Sequence, residues 1–323
     1  MLHLYGWDSS WTTPENTYPA RVVTVHRSQV RIVTDNGPQT LALSTPACTG
    51  DWLAVGADNY EVLPRRTTLA RAVASGQSEY QVLAANVDTV VVAFGLDRPL
   101  RLNAIERFLT LAWSSGATPV VALTKADTVD TIDITQVSAI APGAAVVAVS
   151  SYDSTGIVDL IAALTGTIAV IGPSGAGKST LINALSGAAF ATGSVRDSDR
   201  KGRHTTVTRD LIPLAELGLV LIDTPGLRGA GVWDAEDGLS KTFDDIASLA
   251  GKCRFSDCAH RSEPGCAVRG TVDDRRIESY QKLQREDEWM ASRSDARLRA
   301  EHERRFKSIT KSLRQHYGNR GYR

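Results

Sequence analysis

Hydrophobic and polar residues alternate in short runs through the N-terminal part of the chain, from about Ala20 to Leu63. The run RVVTVHRSQVRIVT at 21–34 carries β-branched residues in near alternation, DNGP at 35–38 is typical of a turn, and LALS and DWLAV follow. About five short strands in a segment of this length predict a small closed barrel, of which the OB-fold is the commonest nucleic-acid-binding form. Trp52 is expected to belong to its core.

A different pattern begins near Asn86, where buried-strand sequences alternate with helical ones. The apolar runs VDTVVVAF, TPVVALT, AAVVAV, GTIAVI and LGLVLI predict strands, and RLNAIERFLTLAWSSG, with apolar residues three and four apart, predicts a helix. Buried strands separated by helices indicate a parallel, doubly wound α/β sheet that binds ligands at the carboxyl ends of its strands. The segment LPRRTTLARA at 63–72 is interpreted as a basic connector between barrel and sheet.

The strand pattern stops at about Phe243, and charged helical sequence then continues to Tyr317. With 323 residues the chain has room for two or three domains of about 100–200 residues each. The sequence therefore predicts an OB-fold-like RNA-binding domain in residues 1–64, an α/β domain in 65–242 and a helical domain in 243–323.

Composition alone suggests no partner, because 36 basic residues balance 36 acidic ones. Hydrophobic residues make up 42% and charged residues 22%, which is typical of a globular protein. From Lys252 to Arg323, however, 18 basic side chains face 11 acidic ones, and an excess of seven favours a surface for polyanions. No apolar run reaches the roughly 18 residues of a membrane span and the N-terminal residues do not resemble a secretory signal, so the expected location is the cytoplasm.

The strongest single motif is GPSGAGKS at 172–179, which fits the phosphate-loop pattern between the strand TIAVI and the helix STLINALSG. Glycines let backbone N–H groups approach phosphates, and the helix N-terminus supplies a favourable partial charge. Lys178 is predicted to span the β- and γ-phosphates, and the Ser179 hydroxyl to ligate Mg²⁺. The predicted nucleotide contacts in this motif are Gly172, Pro173, Ser174, Gly175, Ala176, Gly177, Lys178, Ser179 and Thr180.

Two further segments fit the metal- and phosphate-sensing parts of such a site. VLIDTPG ends a strand with Asp223, which is placed to hold Mg²⁺ through water, and with Gly226, whose N–H is expected to meet the γ-phosphate. The polar stretch before it fits a switch loop, in which Thr205 or Thr206 is predicted to sense the γ-phosphate as a Mg²⁺ ligand.

The preferred nucleotide base is predicted from a segment that precedes the phosphate loop in the chain. There Thr124, Lys125 and Asp127 follow a strand and resemble the Asn-Lys-x-Asp guanine motif of GTPases. A carboxylate at Asp127 can accept from both the ring N–H and the exocyclic amine of guanine, a pair that adenine does not offer. Thr124 lacks the amide that normally ties this loop to the phosphate loop, so weaker binding with retained guanine preference is expected. Ser150 and Ser151 end the next strand and fit the position whose backbone N–H reads the guanine carbonyl.

The order of these motifs is unusual. In ordinary GTPases the phosphate loop comes first and the guanine motifs last, whereas here the guanine motifs at 124–127 and 150–151 precede Gly172. The helix GIVDLIAALTG joins the two elements that would contain the usual chain ends, and the chain is opened after Gly226 instead. Since chain ends in domains often lie close together, the sequence predicts a circularly permuted GTPase.

The cysteines indicate a metal site. Cys253, Cys258, His260 and Cys266 lie within fourteen residues of one another in a chain with four cysteines, a spacing that favours metal over disulfides. Three thiolates and one imidazole close a tetrahedral shell around Zn²⁺, so we expect one structural zinc.

These segments together resemble a known family, the ribosome small-subunit-dependent GTPases, RsgA or YjeQ. GDWLAV, LPRRTTLAR, QVLAANVDTV, TKAD, GPSGAGKST, GRHTT, DTPGLR and the Cys₃His cluster stand in family order, and only the first 19 residues match poorly. The resemblance implies an N-terminal OB-fold, a permuted GTPase domain and a C-terminal zinc domain. It also implies binding to the small ribosomal subunit and its rRNA late in maturation, with subunit-stimulated GTP hydrolysis that drives release. The chain is expected to act as a monomer and away from membranes.

Hydrolysis without a partner is expected to be slow. Many GTPases orient the attacking water with a Gln directly after the Asp-x-x-Gly motif, where this chain carries Leu227. His204, in the predicted switch loop, is the nearest candidate to position water, and a role in packing or partner contact is the alternative.

Two other functions fit parts of the pattern. One is a regulatory GTP-binding module whose partner is a non-ribosomal RNA or a protein, because any large polyanion satisfies the electrostatics. The other is a permuted GTPase of large-subunit assembly. The N-terminal barrel and the Cys₃His cluster argue against this alternative.

Overall fold

The first five strands pair as one antiparallel sheet, in the order β3-β2-β1-β4-β5. The computed structural model describes residues 1–42, 45–57, 59–72, 80–191, 210–224, 231 and 235–294. The strands are β1 (Tyr18–Val25), β2 (Gln29–Thr34), β3 (Gly37–Ala42), β4 (Trp52–Val55) and β5 (Tyr60–Val62). The predicted turn after β2 is present, because Thr34 pairs with Gly37 across it. Trp52 is fully buried, which confirms its predicted place in the core.

The N-terminal residues cover this sheet. A short 3₁₀ helix spans Leu2–Tyr5, and the rings of Trp7 and Trp11 pack against Trp52, with centroids 4.8 and 5.9 Å from its ring. Arg66 stacks over Trp11 at 3.7 Å, a cation–π contact that fastens the segment to the start of the next unit. The family resemblance carries no expectation for the first 19 residues beyond their place in the domain at 1–64.

The segment interpreted as a connector contains a strand. β6 (Thr68–Ala72) pairs antiparallel with β7 (Tyr80–Ala85), and Leu69 and Ala84 face each other in its register, both fully buried. The interpretation as a basic connector is incomplete, because the β-branched and apolar residues between the arginines bury enough surface to form a strand.

A six-stranded sheet follows, with the order β10-β9-β8-β11-β13-β12. Its strands are β8 (Thr89–Gly95), β9 (Thr118–Thr124), β10 (Ala145–Ala148), β11 (Thr167–Ile171), β12 (Leu211–Leu214) and β13 (Leu219–Ile222). The first five in this order run parallel, as predicted, whereas β12 runs antiparallel to β13. The five strands predicted from the apolar runs are the parallel ones. No direction was predicted for β12, which runs antiparallel because the link at 215–218 is too short for the crossover that parallel strands require.

Helices cover both faces of this sheet, which confirms the doubly wound α/β class. Val91 packs in the buried cluster that contains Leu181 and Leu185, while Val90 and Val92 pack in the cluster that contains Ile105 and Leu109. The helices are α1 (Leu102–Ser114), α2 (Thr135–Ile140), α3 (Ile157–Ala163), α4 (Lys178–Ala191), α5 (Glu236–Thr242), α6 (Asp244–Ala250) and α7 (Asp274–Ser294). Within the described ranges, no helix is long and apolar enough to cross a membrane.

The C-terminal helices are joined to α1 by a buried ion cluster. Glu106, on α1 and fully buried, accepts hydrogen bonds from Arg275 and Arg276 of α7 at 3.0–3.1 Å. Arg276 also donates to Asp245 of α6 and to the Thr242 carbonyl at the end of α5. The Arg276 guanidinium thus joins α7 to α1, α5 and α6.

Candidate guanine-nucleotide and metal sites

The phosphate-loop motif lies between β11 and α4, at the carboxyl edge of the sheet. Gly172 has φ +145°, and a Cβ at this position would lie 2.2 Å from the Ala93 carbonyl oxygen. Only glycine therefore allows the chain to change direction where β11 ends. Gly177, with φ +75°, lies directly before α4 and leaves the helix N-terminus open to the loop. This backbone is the cradle that phosphate groups require.

Lys178 points into this loop. Its Nζ donates to the Gly172 and Pro173 carbonyls at 2.9 and 2.6 Å, and burial lowers the pKa of Lys178 from its ordinary value. A cavity of about 550 Å³ opens beside it and is lined by Lys125, Ser174, Gly175, Gly177, Lys178, Ser179 and Thr180. A half-buried ammonium that is held by two carbonyls of the loop is well suited to a phosphate anion.

The predicted magnesium ligands lie at the same edge of the sheet. Ser179 is exposed in the first turn of α4, and Asp223 is exposed directly after β13. Because β11 and β13 are neighbouring parallel strands, their carboxyl ends meet on one side. Hydroxyl and carboxylate oxygens are hard donors that fit Mg²⁺.

The switch residues predicted from sequence lie outside the described residues. They are His204, Thr205, Thr206, Gly226 and Leu227. Their roles therefore stay predictions.

The guanine loop is tied to the phosphate loop by Thr124. Its hydroxyl donates to the Ala176 carbonyl at 2.7 Å and lies 3.3 Å from the Phe94 carbonyl. The expectation that threonine removes the tie between the loops is wrong, because the hydroxyl makes it in place of an amide. The reason given for weaker nucleotide binding is therefore removed.

Lys125 is held by a carboxylate that the sequence did not single out. Its backbone is left-handed, with φ 59°, and its Nζ lies 2.8 Å from Asp97 Oδ2. The Lys125 hydrogen bond holds the pKa of Asp97 below its usual value. Asp97 follows β8, and Lys125 follows the neighbouring strand β9. From the sequence, only the expectation that both strands end at the same sheet edge could have linked these two residues.

Asp127 and Ser150, two of the predicted guanine contacts, are hydrogen-bonded to each other. The buried Ser150 hydroxyl donates to Asp127 Oδ1 at 2.7 Å and so orients the carboxylate. The Ser150 N–H donates to the Thr155 carbonyl at 2.9 Å. Of the two serines predicted to read guanine, Ser151 is therefore the one whose N–H suits that role. Sequence reasoning had not separated the two serines.

The four predicted metal ligands come together. The ligand atoms of Cys253, Cys258, His260 and Cys266 all lie within 4.8 Å of one another. His260 Nδ1 lies 3.7 Å from the Cys253 sulfur and 3.5 Å from the Cys266 sulfur, spacings that suit a tetrahedral centre with metal–ligand bonds of about 2.0–2.3 Å. This Cys₃His cluster is able to bind a metal ion.

Backbone donors support the cluster. The N–H groups of Ala267 and Arg269 point at the sulfurs of Cys253 and Cys266, at 3.3 and 3.5 Å. The Glu263 carboxylate accepts three backbone N–H bonds in the same loop. Its own backbone N–H, together with these three, lowers the pKa of Glu263 to about 2. Such outer contacts fix ligand orientation at metal sites.

Phosphate loop, guanine loop and magnesium ligands thus share one sheet edge, although the guanine motif precedes the phosphate loop in the chain. This arrangement defines a circularly permuted P-loop GTPase.

The chain belongs to the RsgA GTPase family, whose model matches residues 62–233. It is 48% identical to a small ribosomal subunit biogenesis GTPase RsgA of Streptomyces coelicolor, over 95% of this chain and 92% of that protein. A protein of the same name from Streptomyces avermitilis is 47% identical over 94% of this chain and 90% of its own length. As a member of a GTPase family, the protein is a GTP hydrolase.

Two solved structures share the fold. The crystal structure of YjeQ from Thermotoga maritima superposes with a TM-score of 0.60 at 25% identity, covering 83% of this chain and 97% of the other. The structure of YloQ, described as a circularly permuted GTPase, superposes with a TM-score of 0.58 at 22% identity, covering 87% of this chain and 96% of the other.

Proposed function

We propose that this protein binds the small ribosomal subunit late in its maturation, and that the subunit stimulates GTP hydrolysis, which drives release. The observation that carries the proposal is the guanine and phosphate site at one sheet edge, in a chain 47–48% identical to proteins named for small-subunit biogenesis. The rRNA of the subunit supplies the polyanion that the C-terminal excess of basic residues attracts.

In the proposed nucleotide site each described residue has one task. Asp127 accepts from the guanine ring N–H and amine, and the Ser151 N–H donates to the guanine carbonyl. Lys178 leaves the loop carbonyls for the β- and γ-phosphates. Mg²⁺ neutralises phosphate charge when bound, and Ser179 and Asp223, the latter through water, would hold it.

Hydrolysis is proposed to depend on the switch residues and the partner. Thr205 or Thr206 senses the γ-phosphate and Gly226 meets it, while His204 orients the attacking water. Leu227 cannot do so, because its side chain has no hydrogen-bonding group.

The Cys₃His cluster is proposed to hold one structural zinc. Four protein ligands complete a tetrahedral shell and leave no position for a substrate. Zinc then stabilises the fold of the loop at 253–266 and does not take part in hydrolysis.

Three predictions of organisation stay part of the proposal. Residues 1–64 form an OB-fold-like RNA-binding domain, 65–242 the GTPase domain and 243–323 the zinc domain. The protein acts as a monomer, in the cytoplasm, where ribosomal subunits mature.

Sedimentation with purified small subunits tests the proposal. We expect the protein to pellet with the subunit in the presence of a non-hydrolysable GTP analogue and to be largely released with GDP, because the γ-phosphate orders the switches. Equal sedimentation with both nucleotides, or with large subunits alone, would contradict it.

A further inference from the structure

The N-terminal sheet packs against β13, which ends directly before the proposed magnesium ligand Asp223, and against β12, which begins beside it. Val23 of β1 packs against the buried cluster that contains Leu211 of β12 and Ile222 of β13. A Cβ added at Gly50, with φ +94°, would lie 2.2 Å from the Ala85 carbonyl oxygen and 3.0 Å from Ile222 Cδ1. The two sheets therefore approach each other closely next to Asp223.

A hydrogen-bonded path crosses this junction. Thr24 is buried on β1, and its hydroxyl donates to the Asp210 carboxylate. Asp210 directly precedes β12, and its carbonyl accepts from the Asp223 N–H at 3.0 Å. Two contacts thus lead from a side chain of the N-terminal sheet to the backbone of the proposed magnesium ligand.

The path lies at one edge of the sheet. Among the described strands β12 is an edge strand that pairs with β13, and edge strands open more readily than central strands. The Asp223 side chain is exposed, and the backbone that carries it is hydrogen-bonded to Asp210. A contact that anchors Asp210 therefore also limits the movement of Asp223.

We propose that Thr24 is a positioning residue for the magnesium site and acts through Asp210 on the backbone of Asp223. The inference rests on the proposed role of Asp223. Because coupling between sites is reciprocal, magnesium and GTP binding also strengthen the contact between the N-terminal sheet and β12. A partner that grips the N-terminal sheet thereby reaches the nucleotide site.

Thr24→Val and Thr24→Ser form a matched pair for the test. Valine keeps the shape and removes the hydroxyl, whereas serine keeps the hydroxyl. With Thr24→Val we expect faster amide exchange at Asp223 in the nucleotide-free protein. We also expect a rise of about fivefold or more in the Mg²⁺ concentration that half-saturates binding of a non-hydrolysable GTP analogue. Thr24→Ser should match the unmutated protein in both measurements.

Asp210→Ala supplies the second measurement. It removes the carboxylate that accepts from Thr24 and keeps the backbone carbonyl that accepts from Asp223. The double variant with Thr24→Val should therefore raise the half-saturating Mg²⁺ concentration no more than either single variant does. Additive shifts, or a Thr24→Val variant that behaves like Thr24→Ser, would overturn the proposal. Analogue binding by the unmutated protein that does not respond to Mg²⁺ would contradict the proposed magnesium site itself, and this inference with it.

Discussion

The Thr124 hydroxyl donates a 2.7 Å hydrogen bond to the Ala176 carbonyl and so joins the guanine loop to the phosphate loop. Both residues are buried, and the bond spans 52 positions of sequence. The loops predicted to recognise the base and to bind phosphate are therefore joined at one edge of the sheet, although the permutation places their motifs in reversed order.

Removing this bond should weaken nucleotide binding. Thr124→Val keeps the shape and loses the donor, and we expect about two- to tenfold weaker GDP binding, since one such hydrogen bond is worth about 0.5–1.5 kcal/mol. Thr124→Ser, which keeps the hydroxyl, serves as the control in calorimetric titrations. Equal affinities for the two variants would show that the bond does not support the site.

Asp127→Asn should change the preferred base from guanine to xanthine. In the unmutated protein the Ser150 hydroxyl donates to Asp127 Oδ1 at 2.7 Å, and in the variant the Asn carbonyl can accept the same hydrogen bond. The amide N–H₂ is then directed at the base, where it matches the xanthine carbonyl. Titrations with GTP, XTP and ATP measure the change, and equal GTP and ATP affinity in the unmutated protein would refute the guanine assignment.

Cys258→Ser should remove the metal and leave nucleotide binding intact. We expect about one zinc per chain in protein purified without chelator, and a clear loss in the variant, because a tetrahedral shell needs all four ligands. Cys48→Ser is the matched control, since Cys48 lies outside the cluster. Elemental analysis that finds no zinc in the unmutated protein would overturn this assignment.

Glu106→Gln should destabilise the fold far more than Glu286→Gln. Glu106 is fully buried between two arginines, and breaking a buried pair costs about 3–5 kcal/mol. Glu286 pairs with Arg107 at a part-exposed site, where the loss is about 1 kcal/mol or less. Chemical denaturation measures both free energies of unfolding, and similar losses would contradict the role given to the buried cluster.

Local sequence signals predicted the parts of the site that a short stretch of chain determines. The phosphate loop needs glycines at fixed spacing before a helix, and the ligands of the Cys₃His cluster lie within fourteen residues, so both could be recognised directly. The direction of β12 could not be predicted from the sequence, because the periodicity of apolar residues is the same in parallel and antiparallel strands.

The contacts that join these parts were not predictable. Lys125–Asp97, Glu106–Arg275 and Thr24–Asp210 link residues 28, 169 and 186 positions apart. A single carboxylate or hydroxyl in sequence looks like ordinary solvated surface, and only the packed fold identifies its partner. The effect of Thr124 was misjudged for the same reason, since its acceptor is a backbone carbonyl of another loop.

The most direct test of the proposed function is GTP turnover at fixed protein concentration with small subunits, large subunits or free RNA added. We expect slow hydrolysis by the protein alone and a rise of about tenfold or more with small subunits only, because Leu227 cannot orient the attacking water and the partner is proposed to complete the site. His204→Ala should lower the stimulated rate much more than GTP affinity. Turnover that rises equally with all three additions, or with none, would contradict the account.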